Sequence, residues 1–165
     1  MEIRSSFTNR SGELVLTHYR DIDSYEDTGE HPIKAVQAYC FHEGKLVVVY
    51  AENKGYWGPP GGGVEDGETA EAATVREILE ETNMRVLHQM PLGTLIISAS
   101  DGTYTHVRSM CVVEPIGPFI GDPDGDVTEI QLVEAESLKD YFDWGEPGEH
   151  QLKRALDLYE KYIKE

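Results

Sequence analysis

Three glutamates on one short segment have the types and spacing that could perform chemistry. Glu77, Glu80 and Glu81 stand at i, i+3 and i+4, which on a helix places them within an arc of about 100°. Like charges at this spacing destabilise an isolated helix by roughly 0.2–0.5 kcal/mol per pair. We therefore expect a cation beside them. Clustered carboxylate oxygens favour Mg²⁺, with Mn²⁺ as the alternative, whereas a solvated acidic face is the competing interpretation.

A glycine-rich segment lies directly upstream, with the sequence PPGGG over residues 59–63. Glycine has no Cβ, so such a backbone can adopt positive φ and approach a ligand closely. Alone, this segment would indicate only a turn. Placed before a carboxylate-bearing helix, it predicts one wall of a site in which a metal ion bridges protein carboxylates to the phosphates of a substrate.

The helix that carries the glutamates has signals at both ends. Thr69 is a suitable N-cap, and Asn83 tolerates the left-handed conformation that ends many helices. Arg76 is placed to pair with the neighbouring acidic residues. The residues predicted to face the core, opposite the carboxylates, are Ala72, Val75, Ile78, Leu79 and Thr82.

Apolar runs bounded by turn residues predict the strands that must hold this helix. They cover residues 13–20, 34–41, 45–51, 92–100, 104–113 and 129–133. A second helix is predicted over 148–165, and its core-facing stripe is Leu152, Ala155, Leu156, Tyr159, Tyr162 and Ile163. Strands on both sides of a central helix, with a helix closing the chain, indicate an α/β fold with a mixed sheet covered by helices.

Length and composition narrow the organisation and the partners. A chain of 165 residues with 39% hydrophobic residues predicts one domain, with 1–33 as an N-terminal arm or strand extension and 34–165 as the core. Its net charge of −17 disfavours nucleic acid and anionic membranes as partners. No leader or membrane-spanning run is apparent, so we expect a cytoplasmic protein in which Cys40 and Cys111 are buried, reduced thiols.

The spacing around the glutamates resembles the signature of the Nudix hydrolases. Gly62 is followed after five residues by Glu68, and after seven more by the run REILEETNM over 76–84. The one departure is Asn83, where the family has glycine. The segments YWGPPGG and EIQLVEAESL are also similar to the family, whereas the residues before Lys34 and the last helix have no specific match.

This resemblance implies an α/β/α sandwich that hydrolyses a nucleoside diphosphate linked to another group. It further implies a supporting ion pair between Glu68 and Arg76. The implied metal ligands are Glu77, Glu80, Glu81 and the backbone carbonyl of Gly61.

Several choices stay open at this point. The general base could be Glu77, Glu129 or a loop aspartate, of which Asp126 is the nearest. A nucleoside triphosphate, cleaved to monophosphate and pyrophosphate, is the favoured substrate. ADP-ribose, a nucleotide sugar or a dinucleoside polyphosphate is the alternative, and a non-catalytic nucleotide-binding module is a third. A homodimer could form if the N-terminal arm is exchanged between two copies.

Aromatic and basic residues near the expected cleft have two interpretations. Tyr56 and Trp57, beside the glycine segment, are expected either to pack in the core or to stack on a base. Tyr104 and Arg108 lie on a strand that could line the cleft.

Overall fold

Every strand and helix predicted from the sequence is present in the computed structural model, which describes residues 1–165. The strands are β1 (Glu2–Thr8), β2 (Leu14–Asp21), β3 (Ile33–His42), β4 (Lys45–Ala51), β5 (Tyr56–Gly58), β6 (Gly61–Gly63), β7 (Met84–Ala99), β8 (Gly102–Pro115) and β9 (Val127–Val133). The helices are α1 (Ala70–Thr82) and α2 (Gly145–Lys164), and a 3₁₀ helix spans Ala135–Asp140.

The nine strands form one mixed sheet in the order β1-β2-β7-β8-β3-β4-β5, with β6 paired to β3 and β9 paired to β4. The β3–β8 pair is parallel and the other pairs are antiparallel. The N-terminal residues thus extend the sheet through β1 and β2. Exchange of this arm between two copies stays a prediction.

Alternating side chains of β3 and β4 bury both faces of the sheet. Tyr39 and Phe41 pack on the α2 side, in a cluster that contains Ala155. Ala38 and Cys40 pack on the opposite side, in a cluster that contains Ile78 of α1. Because successive strand residues point to opposite faces, one helix covers each face. The predicted α/β/α sandwich is therefore confirmed.

Two central strands separate after a short shared stretch. The β3 and β4 strands pair only at their hairpin end, through Phe41–Leu46 and His42–Lys45. Beyond it, the freed edge of β3 pairs with β6, and β4 pairs with β5 instead. The sheet therefore opens between β3 and β4, beside the glycine segment.

The predicted core face of α1 was partly wrong. Ile78 and Thr82 are buried, but Val75 and Leu79 are 42% and 45% exposed, and Ala72 is exposed as well. The helix lies over β6 and β3 with its small residues and turns one carboxylate inward. Its buried residues are Ala70, Ala73, Thr74, Ile78, Glu81 and Thr82.

The second half of the chain differs from the prediction mainly at element ends. The β7 strand begins at Met84, eight residues before the predicted start at Leu92, and bulges near Pro91 let it continue past a residue that usually interrupts strands. The α2 helix begins at Gly145 and includes Pro147 in its first turn, where a missing N–H is tolerated. Ile163, predicted to face the core, is 58% exposed. Neither helix combines the length and apolar character needed to cross a membrane.

Both predicted caps of α1 are confirmed. The Oγ1 of Thr69 accepts a hydrogen bond from the Ala72 N–H at 3.1 Å, and Asn83 adopts φ 56° and ψ 37°. The Asn83 side chain also donates from Nδ2 to the carbonyl of Pro118 at 2.9 Å. A glycine could adopt this backbone conformation, but it could not hold the loop after β8.

Asn83→Ala should lower the free energy of unfolding by about 1–2 kcal/mol, because alanine is strained in the left-handed region and also loses the bond to Pro118. Asn83→Gly should lower it by less than about 1 kcal/mol, since only the bond is lost. Urea denaturation of both variants measures the difference. Equal losses would contradict the role given to the backbone conformation.

Candidate active site

The glycines of β6 allow two contacts that a side chain would block. A Cβ on Gly61 would lie 2.1 Å from the carbonyl oxygen of Val36 on β3, and one on Gly62 would lie 2.5 Å from the carboxyl group of Glu77. Real Cβ atoms do not approach so closely. The glycine segment can therefore lie flat against β3 and bring its backbone against a carboxylate of α1.

Glu81 is the most enclosed of the three glutamates. It is 9% exposed, and its Oε1 accepts a hydrogen bond from the Gly61 N–H at 2.8 Å. Burial raises the pKa of Glu81 to about 8, against the opposing effect of this bond. Burial likewise raises the pKa of Glu77 to about 7, although Arg76 acts in the other direction. Two neighbouring carboxyls are thus held where ionisation is unfavourable without a cation.

Arg76 is the cation that Glu68, Glu77 and Glu80 share. Its Nε and Nη2 bind both oxygens of Glu68 at 2.8 and 2.9 Å, and its Nη1 contacts Glu77 at 3.0 Å and Glu80 at 3.3 Å. Nη2 also donates to the carbonyl of Gly63 at 2.9 Å. Hydrogen bonding to Arg76 lowers the pKa of Glu68 to about 2. One side chain therefore ties the glycine segment, the following loop and α1 together.

The carboxylates of α1 and the glycine backbone suit a divalent metal, both in the type of ligand atom and in the partly buried position. Carboxylate oxygens beside an exposed glycine backbone are the ligands that Mg²⁺ and Mn²⁺ prefer, and Gly62 provides a cradle that a Cβ would fill. No group of three acidic, histidine or cysteine side chains stands in ligating geometry, because Glu77 and Glu80 are turned toward Arg76. Joint coordination therefore requires these two side chains to rotate away from the guanidinium.

The structure distinguishes among the acidic residues of the loop before β9. The charge of half-buried Asp122 contributes to the raised pKa values of both Glu77 and Glu81. Asp126 is exposed and accepts a bond from Asn53 at 3.3 Å. Glu129 is exposed on β9 and accepts a bond from Gln131 at 3.3 Å. Of these three acidic residues, only Asp122 is thus seen to act on Glu77 and Glu81.

A cavity of about 370 Å³ opens between β3 and β4, and Glu81, Gly61 and Gly62 line one part of it. Gln37 of β3 and Lys54, after β4, also contribute to its lining. Five aromatic side chains complete the wall, namely Tyr56, Trp57, Tyr141, Phe142 and Trp144. The cavity therefore joins an acidic region to an aromatic one.

The aromatic and basic residues singled out from the sequence have different positions. Trp57 packs edge-on against Tyr141, with ring centroids 5.5 Å apart, and also lines the cavity. The packing role is therefore confirmed, and stacking on a base stays a prediction. Tyr104 lies outside the lining and holds the Lys34 ammonium 4.3 Å from its ring centroid. Arg108 is buried behind the cavity wall rather than in the wall itself.

Comparison with known proteins identifies the group to which this geometry belongs. The NUDIX domain family matches residues 31–155. The chain belongs to the NUDIX family. Membership makes it a pyrophosphohydrolase of the class that acts on small nucleotide substrates and generally uses divalent metal ions.

Individual relatives agree with this assignment. An ADP-ribose pyrophosphatase of Methanocaldococcus jannaschii is 30% identical over 128 residues, which cover 69% of this NUDIX chain and 75% of the relative. The pyrophosphohydrolase BsRppH of Bacillus subtilis has a similar fold, with a TM-score of 0.60 and 23% identity over 78% of this chain and 76% of its own.

A further structure extends the likeness to a complex. The NUDIX domain of Shewanella oneidensis NrtR, solved with ADP ribose, gives a TM-score of 0.56 at 16% identity. The alignment covers 79% of this NUDIX chain and 90% of the other. At this level of identity the likeness concerns the fold.

Several residues of the cavity could not be identified from the sequence. Gln37 comes from one segment of the chain and Tyr141 and Trp144 from another, and none belongs to a local pattern of spacing. Asp122, whose charge acts on Glu81, comes from a third segment. Only the tertiary fold brings these segments together. The aromatic richness of the segment YFDW, residues 141–144, was the one available signal.

The raised pKa values predict how the metal-free protein responds to pH. Glu77 and Glu81 bind protons more tightly in the folded chain than in the unfolded chain, where glutamate has a pKa near 4.5. The free energy of unfolding should therefore fall as pH rises from about 5 to about 8. Urea denaturation with a chelator present measures this slope.

Glu81→Gln should reduce the dependence of the free energy of unfolding on pH. Glu71→Gln, a change at an exposed position of the same helix, should leave this dependence unaltered. The same slope in both variants would contradict the assignment.

Proposed function

We propose that the chain hydrolyses a nucleoside diphosphate linked to another group, with ADP-ribose as the first substrate and Mg²⁺ as the metal. The observation that carries the proposal is the single cavity with Glu81 and the glycine segment in one part and aromatic side chains in the other. A metal-bound diphosphate suits the acidic part. A nucleobase suits the aromatic part, because every base offers a face for stacking.

The choice of ADP-ribose rests on the Methanocaldococcus jannaschii relative, which is named for that substrate and aligns with most of this chain. Hydrolysis would yield AMP and ribose 5-phosphate. A nucleoside triphosphate, favoured by the sequence interpretation, has the same metal-diphosphate portion and is the second candidate. Products separated by chromatography distinguish the two, because the triphosphate would release pyrophosphate.

Residues of α1 and the glycine segment would hold the metal. These ligands are Glu77, Glu80, Glu81 and the Gly61 carbonyl. Bound there, a divalent ion neutralises diphosphate charge, polarises phosphorus and lowers the pKa of a water molecule. Arg76 holds Glu77 and Glu80 while they are not bound to a metal, and its bidentate bond to Glu68 fixes the guanidinium.

A carboxylate must accept the proton of the attacking water while the phosphorus–oxygen bond of the diphosphate breaks. Glu77, Glu129 and Asp126 are the candidates from the sequence. We add Asp122, because it is half-buried and its charge acts on both Glu77 and Glu81, while Asp126 and Glu129 are exposed.

Glu81→Gln should reduce kcat/KM for ADP-ribose at least about 100-fold, because the neutral amide is a poorer metal ligand. The wild-type melting temperature should rise on addition of MgCl₂, since a ligand that binds only the folded state stabilises it. The variant should lose most of that rise. Glu71→Gln is the matched control and should retain both activity and the rise. Full activity in Glu81→Gln would sink the proposal, and ADP-ribose binding without turnover in the wild type would favour the non-catalytic module.

Asp122→Asn should lower kcat at least about tenfold if this carboxylate takes the proton. Asp126→Asn and Glu129→Gln provide matched amide substitutions at the exposed positions and should change kcat less than about threefold. Steady-state kinetics with saturating Mg²⁺ compares the three variants. A larger loss in Glu129→Gln than in Asp122→Asn would return the role to Glu129.

A further inference from the structure

Arg108 is a buried cation held without a carboxylate. It is 5% exposed, its Nε donates to the Oε1 of Gln37 at 2.9 Å, and its Nη1 donates to the Oε1 of Gln151 at 2.9 Å. The ring of Trp144 covers the guanidinium, with 3.9 Å from its central carbon to the ring centroid. Buried charges are usually paired with opposite charges. The unusual arrangement here therefore calls for a role beyond packing.

The contact with Arg108 determines how Gln37 is oriented. A guanidinium only donates hydrogen bonds, so the amide oxygen of Gln37 must face Arg108 and its amide nitrogen must point elsewhere. Gln37 lines the cavity together with Trp57 and Trp144. Its amide nitrogen makes no hydrogen bond within the chain, so it is free to donate to a ligand.

The support behind Arg108 is itself fixed. The Oε1 of Gln151, on α2, also accepts a hydrogen bond from the Tyr39 hydroxyl at 3.1 Å. Gln151 is fully buried, and Tyr39 packs edge-on against Trp144 with ring centroids 6.4 Å apart. Hydrogen bonds and stacking therefore hold the cation from β3, α2 and the segment before α2 at once.

We propose that Gln37 determines base specificity by donating its amide N–H to an acceptor atom in the plane of the stacked base, with Arg108 as the positioning residue. The inference rests on the proposed function, because that function brings a nucleobase to this part of the cavity. A glutamine with both groups free can read adenine through its oxygen and nitrogen together. Because its oxygen accepts from Arg108, Gln37 can only donate a hydrogen bond to the base, to a ring nitrogen or a carbonyl oxygen.

Gln37→Glu tests the donor directly. The substituted side chain keeps an oxygen for Arg108 but presents a second oxygen to the base, so a donor is replaced by an acceptor. The KM for ADP-ribose should rise about 10- to 100-fold while kcat changes less than about threefold, because the base lies away from the reacting phosphorus. Gln89→Glu, the same change outside the cavity, should leave both unchanged. A KM within about twofold of wild type in Gln37→Glu would overturn the inference.

Arg108→Lys tests the positioning role with a cation that cannot make both amide contacts. The readout is the ratio of kcat/KM between the best and poorest diphosphoriboses carrying adenine, guanine, uracil or cytosine. Loss of positioning should narrow this ratio at least about threefold, whereas a merely structural role would lower all four values alike. A wild-type ratio near one, or a ratio unchanged in Arg108→Lys, would overturn the inference.

Binding measured by fluorescence separates this inference from the proposed function. Trp57 and Trp144 are the only tryptophans, and both line the cavity. ADP-ribose should quench them in the wild type, and the quench should need about 10- to 100-fold more ligand in Gln37→Glu. Quenching without hydrolysis would refute the catalytic proposal and leave the role of Gln37 standing. No quenching in the wild type would overturn the role of Gln37.

Discussion

The imbalance of charge along the second half of α1 governs this structure. One guanidinium, that of Arg76, contacts Glu68, Glu77 and Glu80, while Glu81 is buried with only a backbone N–H as partner. Burying carboxylates against each other opposes folding, and a surface helix would gain nothing from it. Such an arrangement persists when something outside the chain supplies positive charge. In the proposed function, a metal ion shared with a diphosphate would supply this charge.

The opening of the sheet is the second constraint, and it decides where the rest of the substrate can lie. Since β3 and β4 pair only at their hairpin end, each strand exposes an edge that β6 and β5 then partly cover. The glycine segment has to cross this gap without side chains, because atoms of β3 and Glu77 already occupy the space. The same feature that admits the glycine backbone also leaves room for a ligand beside it.

Local spacing was sufficient to predict the helix and both of its caps, and the family resemblance predicted the contact between Glu68 and Arg76. These features depend on residues within about two turns or one loop of each other, where backbone geometry fixes distances. The face that α1 buries was predicted only in part, because Val75 and Leu79 suggested a core that the small residues Ala70 and Ala73 form instead. The aromatic side chains of residues 141–144 and Gln37 meet only through long-range tertiary contacts, which no local pattern encodes.

Different interactions shape the acidic and the aromatic regions of the cavity. This difference affects how specificity for the base can vary. The acidic region depends on charge and on glycine backbone, so few substitutions there are compatible with a bound metal. The region around Gln37 depends on neutral amides and aromatic contacts arranged about Arg108, which lies outside the carboxylate cluster. On the proposed roles, side-chain changes in the second region would alter which base is accepted while leaving the carboxylates in place. Selectivity and hydrolysis then depend on different side chains, although the backbone of Gln37 pairs with that of Gly61.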